Sequence, residues 1–216
     1  MALADIRVEL HDGARLRRGA ADLSAGDAVK ELPPSKLGPW PELESEHVAD
    51  CRIFSVERSL ARSPFDDRPY TFHRIVSVDW VQILPITADG EAVLVRQYRH
   101  GARRVTLEMP GGLMDTGEDP AAAALRECLE ETGYRGRTAH PLGVVSPNPA
   151  LFTNRLFTFY ATGVERVQDV QNVGTEVTEV VLVPVADLEE LLLAGEIDHA
   201  LVASAMWRYL KRHGPR

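Results

Sequence analysis

The chain has 216 residues, with 24 Lys and Arg against 32 Asp and Glu for a formal net charge of −8. At 44% hydrophobic and 26% charged it has the balance of a globular protein, long enough for one domain, an appendage and a substantial core. It holds no uninterrupted apolar run of membrane-spanning length, and its acid excess argues against duplex nucleic acid, whose surface demands a basic footprint.

Two cysteines, Cys51 and Cys128, cannot build a disulfide framework, and no CxxC pair suggests a structural zinc. Acidic residues near the start, Asp5 and Glu9, stand where an export signal would carry its apolar block, so the cytoplasm is the expected address.

In chain order, residues 1–46 read as an arm and a proline-rich linker. Pro33, Pro34, Pro39 and Pro41 lack amide donors and have fixed φ, which bars helix and central strand. Strands are expected at 51–60 and 70–78, separated by a turn over 63–69, so that 47–78 forms a set of N-terminal strands. The main domain is expected over 79–216. Strands at 80–86 and 91–98 meet through Asp89-Gly90, a hairpin cue. Further strands are expected at 105–109, 142–145, 156–161 and 177–183, with helices at 120–132, 186–194 and 199–212. The last helix lines up Leu201, Val202, Ala205, Met206, Tyr209 and Leu210 for core packing. Strand hairpins mixed with helices point to an α/β sandwich around a mixed sheet.

The informative segment is 111–134. Asp119 is an N-cap, Pro120 suits the first helical position, an alanine run follows, and Gly133 ends the helix in the left-handed region. Glu127, Glu130 and Glu131 fall on one narrow face, while Ala121, Leu125, Cys128, Leu129 and Thr132 form the face expected to pack on the sheet. Acids commonly face water, but like charges at these spacings repel, and in a last turn they oppose the helix dipole. At about 5 Å and an effective dielectric near 20, each pair repels by roughly 3 kcal/mol. No lysine interleaves them, whereas a hard divalent cation such as Mg²⁺ or Mn²⁺ would reverse the sign. Gly111-Gly112 allows either a plain turn or close backbone approach to a ligand, and Glu118 is expected to pair with Arg126.

This segment resembles the Nudix box, G-x5-E-x7-R-E-U-x-E-E-x-G-U, at Gly112, Glu118, Arg126, Glu127, Glu130, Glu131 and Gly133. Seven fixed positions would match by accident on the order of once in a million chains. Cys128 stands at an aliphatic position and Tyr134 at the final one; on the buried face, Cys128 reads as structural. The resemblance implies a Nudix-type α/β/α sandwich around a mixed β-sheet with an N-terminal strand-containing extension. It also implies Mg²⁺-assisted hydrolysis, with Mn²⁺ as substitute, of a nucleoside diphosphate derivative by water. Glu127 and Glu131 are implied as principal metal ligands, Glu130 as a further ligand or a supporting acid, and the Gly111 carbonyl as a backbone ligand.

Flanking residues narrow the group. Residues 95–100 and 107–112, Ser146-Pro147-Asn148-Pro149 and the segment 195–200 are similar to the ADP-ribose and nucleotide-sugar pyrophosphatases. That resemblance covers most of 51–210 and implies phosphate or substrate contacts by Arg96, Arg99 and Glu108. Asn148 replaces the glycine usual after Ser-Pro in that group; Asn148 and Asn154 suit sugar hydroxyls, and equally suit turns. Glu176 is the implied loop acid that completes the site as base or ligand, with Glu179 second. Trp80 and Phe152 fit a core role better than stacking on a base, and His47 with Cys51 has metal-like spacing without further partners. The expected substrate is a nucleoside diphosphate sugar of the ADP-ribose or GDP-mannose type, the expected state a homodimer exchanging 48–78, with neither membrane nor duplex nucleic acid as partner. The competing readings are a non-catalytic nucleotide-sugar sensor, which the full set of box carboxylates disfavours, and an enzyme for another nucleoside diphosphate derivative.

Overall fold

The computed structural model describes residues 32–172 and 177–214, and the chain from Leu37 onward forms one compact unit. Its first element, β1 (Glu42–Asp50), was expected as linker and strand start. All nine residues are exposed, so no apolar alternation marks it. It forms because β2 (Ser55–Arg62) offers cross-strand partners: Arg58 pairs with Glu46, and Ser59 Oγ donates to Glu42 Oε2 at 2.8 Å. The expected strand from 51 therefore begins at 55, after a turn closed by the Cys51 amide donating to the Phe54 carbonyl at 2.8 Å. The expected 46/47 division falls inside β1. With β3 (Pro69–Val76) these strands make a separate antiparallel sheet in the order β1-β2-β3.

The main sheet is built on β4 (Trp80–Thr87) and β5 (Glu91–Arg99). Around them lie β6 (Arg104–Glu108), β7 (Gly111–Leu113), β8 (Tyr134–Arg135), β9 (His140–Val145), β10 (Leu156–Arg166) and β11 (Thr178–Pro184). Its backbone order is β11-β5-β4-β10-β8, with β6 on β5, β7 on β4 and β9 on β10. The β4–β10 pair is parallel and its neighbours are antiparallel, so the sheet is mixed as expected. The near-continuous apolar run of β4 follows from burial on both faces.

Helix α1 (Pro120–Thr132) covers one face, burying Ala123, Ala124 and Cys128 against Val81, Ile83, Val93 and Phe159. Helices α2 (Leu188–Ala194) and α3 (Ala200–His213) cover the other, where Leu188, Val202 and Met206 meet Leu84, Ile86 and Leu94. A short 3₁₀ turn, Val185–Asp187, replaces the expected first turn of α2. Gln82, on the α3 side of β4, donates from Nε2 to the Leu201 carbonyl at 3.0 Å and ties the layers together.

The ends of α1 are those its sequence specifies. Asp119 Oδ1 accepts from the Ala121 and Ala122 amides, each at 3.0 Å. Gly133 sits at φ 74°, and a Cβ there would lie 2.1 Å from the Gln168 carbonyl oxygen. Gly133→Ala is expected to lower the unfolding free energy by about 2–4 kcal/mol, read from denaturant melts; a neutral result would mean that the turn yields without cost.

Candidate active site

The site begins where β6 ends. Glu108, Met109 and Pro110 are buried, and β7 then runs antiparallel to the start of β4, pairing Gly111 with Gln82 and Gly112 with Val81. This lays the loop of residues 114–119 and the acidic ridge of α1 alongside the sheet. The Gly111 amide donates to Glu131 Oε2 at 2.9 Å. A Cβ on Gly112 would fall 2.6 Å from Glu127 Oε1, so the glycine is what lets this carboxylate reach the backbone.

Arg126 organises the rest. Its Nε and Nη2 donate to the two oxygens of Glu118 at 2.9 and 3.0 Å, the expected pairing. Nη1 also donates to Glu127 Oε1 at 2.9 Å and Glu130 Oε2 at 3.1 Å, and Nη2 to the Leu113 carbonyl at 3.2 Å. No lysine interleaves the acids, as read from the sequence, but Arg126 supplies the counter-charge, at i,i+4 from Glu130, so the expectation that a hard cation is what makes the ridge tolerable is corrected. Repulsion among the acids is relieved within the chain, and their crowding alone does not demand a metal. The hydrogen bonds to Arg126 hold the Glu118 carboxyl below its usual range.

Among the described residues no three acidic, histidine or cysteine side chains are gathered into a ready ligand cluster. Glu127 and Glu130 turn onto Arg126, and Glu131 onto Gly111. The donor set nevertheless fits a hard divalent cation: three carboxylates on successive turns and a neighbouring backbone carbonyl, with Gly112 keeping the approach to Glu127 clear. The carbonyls of the last helical turn are already satisfied, Glu130 by the Gln171 amide at 3.0 Å and Glu131 by Thr178 Oγ1 at 2.9 Å. Cys128 lies fully buried, and burial pushes its thiol up to about 12, in accord with a structural role.

The flanking candidates separate. Arg99 and Glu108 come together as a fork, with Nε to Oε1 at 2.8 Å and Nη2 to Oε2 at 2.7 Å, and Thr106 Oγ1 adds a bond at 2.6 Å. Burial pushes the Glu108 carboxyl up, but the Arg99 guanidinium and the Thr106 hydroxyl outweigh it and hold the group below its usual range. Arg96 faces Glu179 across β5 and β11 at 3.3 Å, both half-exposed or more.

Asn148 makes an Asx turn, its Oδ1 accepting from the Ala150 amide at 3.1 Å. Asn154 is buried and donates from Nδ2 to the Val78 carbonyl at 3.0 Å, while its Oδ1 has no partner among the described residues. Glu176 lies outside the described residues. Trp80 and Phe152 meet edge to face at 5.5 Å, as packing predicts, and His47 approaches Asp50 at 3.3 Å. The reach of Arg126 to three acids was missed although its spacing was readable; the Thr106 bond carries no such signal, since Thr is an ordinary strand residue.

The Arg99–Glu108 fork has a consequence for acid stability. A carboxylate whose folded value lies below its unfolded one stabilises the fold at neutral pH and loses that contribution as pH falls through the folded value. Arg99→Gln leaves burial as the dominant influence, raising Glu108, so acid should narrow the stability gap between variant and wild type. Thermal melts from about pH 7 to about pH 3 test this; a gap that widens or holds constant would show that Arg99 does not set the ionisation of Glu108.

Comparison with known proteins agrees with this geometry. The family model described as the NUDIX domain matches residues 78–204. ADP-ribose pyrophosphatase of Saccharomyces cerevisiae is 35% identical over 130 residues, 54% of each chain, so the match spans about half of that relative. ADP-sugar pyrophosphatase of Mus musculus is 35% identical over 145 residues, covering 62% of this chain and 66% of the relative. A crystal structure of an ADP compounds hydrolase superposes with a TM-score of 0.73 at 26% identity, over 84% of this chain and 99% of that one. A box helix capped and closed as its sequence specifies, a mixed sheet covered on both faces, and this family match together make the chain a member of the Nudix family.

Proposed function

We propose that this protein hydrolyses the pyrophosphate of ADP-ribose or a related nucleoside diphosphate sugar, GDP-mannose included. The products are a nucleoside monophosphate and a sugar phosphate. The observation that carries this reading is the meeting of Glu127 and Glu131 with the Gly111-Gly112 backbone at the start of β7: the Gly111 amide bonds Glu131, and Glu127 comes so close to Gly112 that no side chain fits between. The names of the relatives, which act on ADP-ribose, ADP-sugars and ADP compounds, support the substrate class.

Glu127, Glu130, Glu131 and the Gly111 carbonyl are the groups that would hold Mg²⁺ or Mn²⁺. Bound there, the ion supplies charge neutralisation for the diphosphate and an acidified water. In the hydrolysis, a water oxygen would bond to one phosphorus as its bond to the bridging oxygen breaks, the bridging oxygen would leave with the other phosphate product, and a carboxylate of the chain would take the water's proton. Glu176 is our candidate for that base: Asn172 and Thr178, either side of its segment, bond to each other, and Thr178 also bonds to the last turn of α1. Half-exposed Arg96 and Arg99 would steer the phosphates, and Glu108 would act through the Arg99 fork. Asn148, at its exposed turn, and Asn154, through its unpartnered acceptor, would meet sugar hydroxyls.

The test is release of phosphate monoesters, revealed by added phosphatase, from ADP-ribose, ADP-glucose and GDP-mannose with Mg²⁺. Turnover abolished by chelator is expected, with kcat lowered on the order of a thousandfold in Glu131→Gln, about 4 kcal/mol of barrier, and folding retained. Absence of turnover on every substrate by folded protein overturns the proposal, and binding without turnover would favour a sensor instead.

A homodimer belongs to the same proposal. Trp40 packs edge to face on Phe65, Tyr70 and Phe72 at 5.5–6.4 Å, yet these rings remain 40–73% exposed. An apolar ring cluster this exposed among the described residues supports burial against a second copy. Sedimentation at assay concentration should give twice the chain mass, and Trp40→Asp should shift it to one; a wild-type monomer overturns the dimer. Two free cysteines, Cys51 exposed and Cys128 buried, support a reducing, cytoplasmic setting.

A further inference from the structure

Asp79, one residue ahead of β4, stands between two loops that approach from opposite sides. Its backbone carbonyl accepts from the Met114 amide at 3.0 Å, fixing the start of the loop that leads from Gly111-Gly112 to Glu118. Its carboxylate turns the other way. Oδ1 accepts from the Arg155 amide at 2.7 Å, and Oδ2 from Arg155 Nε and Nη2 at 3.1 and 2.6 Å. Arg155 closes the loop of residues 146–155, which carries both Asn148 and Asn154. The Arg155 carbonyl in turn accepts from the Trp80 amide at 2.8 Å, and its guanidinium lies 5.0 Å above the Phe157 ring.

Other bonds hold this loop by main chain and by Asn154. Thr153 N–H donates to the Ile75 carbonyl at 3.1 Å, Ile75 N–H to Leu151 at 2.7 Å, and Asn154 Nδ2 to Val78 at 3.0 Å. None of these bonds uses the Asp79 side chain. Three charge-assisted bonds to one carboxylate, two of them to a planar fork, depend on it. That carboxylate therefore sets how firmly the far loop is held without entering the ligand set of the acidic helix.

We propose that Asp79 is a positioning residue: through Arg155 it fixes residues 146–155 in register with the Gly111–Glu118 segment, so that sugar-side contacts meet a substrate whose diphosphate lies at α1. This deepens the proposed function and rests on it for its kinetic arm. Asp79 touches no reacting atom; removing its carboxylate loosens the partner loop while the Met114 bond, made by main chain, keeps the metal-side loop in place.

The experiment compares Asp79→Ala, Arg155→Ala, the double variant and Arg155→Lys, with Asp79→Asn, which keeps an acceptor for the Arg155 amide, as fallback if Asp79→Ala fails to fold. Each single alanine variant should raise KM for ADP-ribose about tenfold with kcat within about threefold, and the double variant should be no worse than either. Mn²⁺ affinity, followed by electron paramagnetic resonance, should stay at the wild-type value, and Arg155→Lys should recover part of the loss. Amide exchange should accelerate across 146–155 and not across 111–118. A merely structural role would lower Mn²⁺ affinity, kcat and melting temperature together, and that pattern overturns the proposal. So do an unchanged KM with unchanged exchange, and additive effects in the double variant. If the wild type hydrolyses none of the diphosphates, the functional reading fails by itself, and the exchange arm still decides whether Asp79 holds the loop.

Discussion

One guanidinium holds the site together. Arg126 joins Glu118 at the loop, Glu127 and Glu130 on the helix and the carbonyl of Leu113 at the end of β7. Remove it, and Glu118, Glu127 and Glu130 lose the charge that bridges them, while the loop between strand and helix loses its anchor. Because Arg126 is partly buried and multiply bonded, its contacts count for more than those of a surface ion pair. The same contacts explain how an acidic ridge can exist before any cation arrives: the chain carries its own counter-charge, and a divalent ion would compete with it for Glu127 and Glu130.

The sheet delivers these groups to one place. β4 is central, with β7 antiparallel to its first residues and β10 parallel along its length, so Gly111-Gly112 and the asparagines of the 146–155 loop emerge near one strand end. Small residues on the buried face of α1, Ala123 and Ala124, let the helix lie close to Val81 and Ile83, and that closeness is why Gly112 cannot carry a side chain beside Glu127. Packing and site geometry are here the same fact seen from two sides.

Elements whose signals are local were legible in the sequence. Asp119, Pro120, the alanine run and Gly133 mark α1 to the residue, and apolar β-branched runs mark β4 and β5. β1 was hidden because its nine exposed residues take their order from Arg58 and Ser59 on the next strand rather than from any pattern of their own. In the site, the Glu118–Arg126 pair, the acidic ridge and the i,i+4 spacing of Arg126 to Glu130 were readable in the sequence, whereas the bond from Arg126 to the adjacent Glu127 depends on its side-chain rotamer. The pairing of Arg99 with Glu108 likewise requires the β5–β6 register, and Asn148 proved to be the turn former that its residue type equally allows.

The parallel pairing of β4 with β10 has a temporal side. Asp79 and Arg155 are separated by 76 positions, and no hairpin can bring them together. As the chain leaves the ribosome, α1 and its acids are complete long before the strand that aligns the opposite loop has been made. Contacts of such separation are the slow ones in folding, since the entropy of loop closure precedes any reward. The acidic helix is thus born early, and the loop of residues 146–155 comes into register with it only when the second half of the protein arrives.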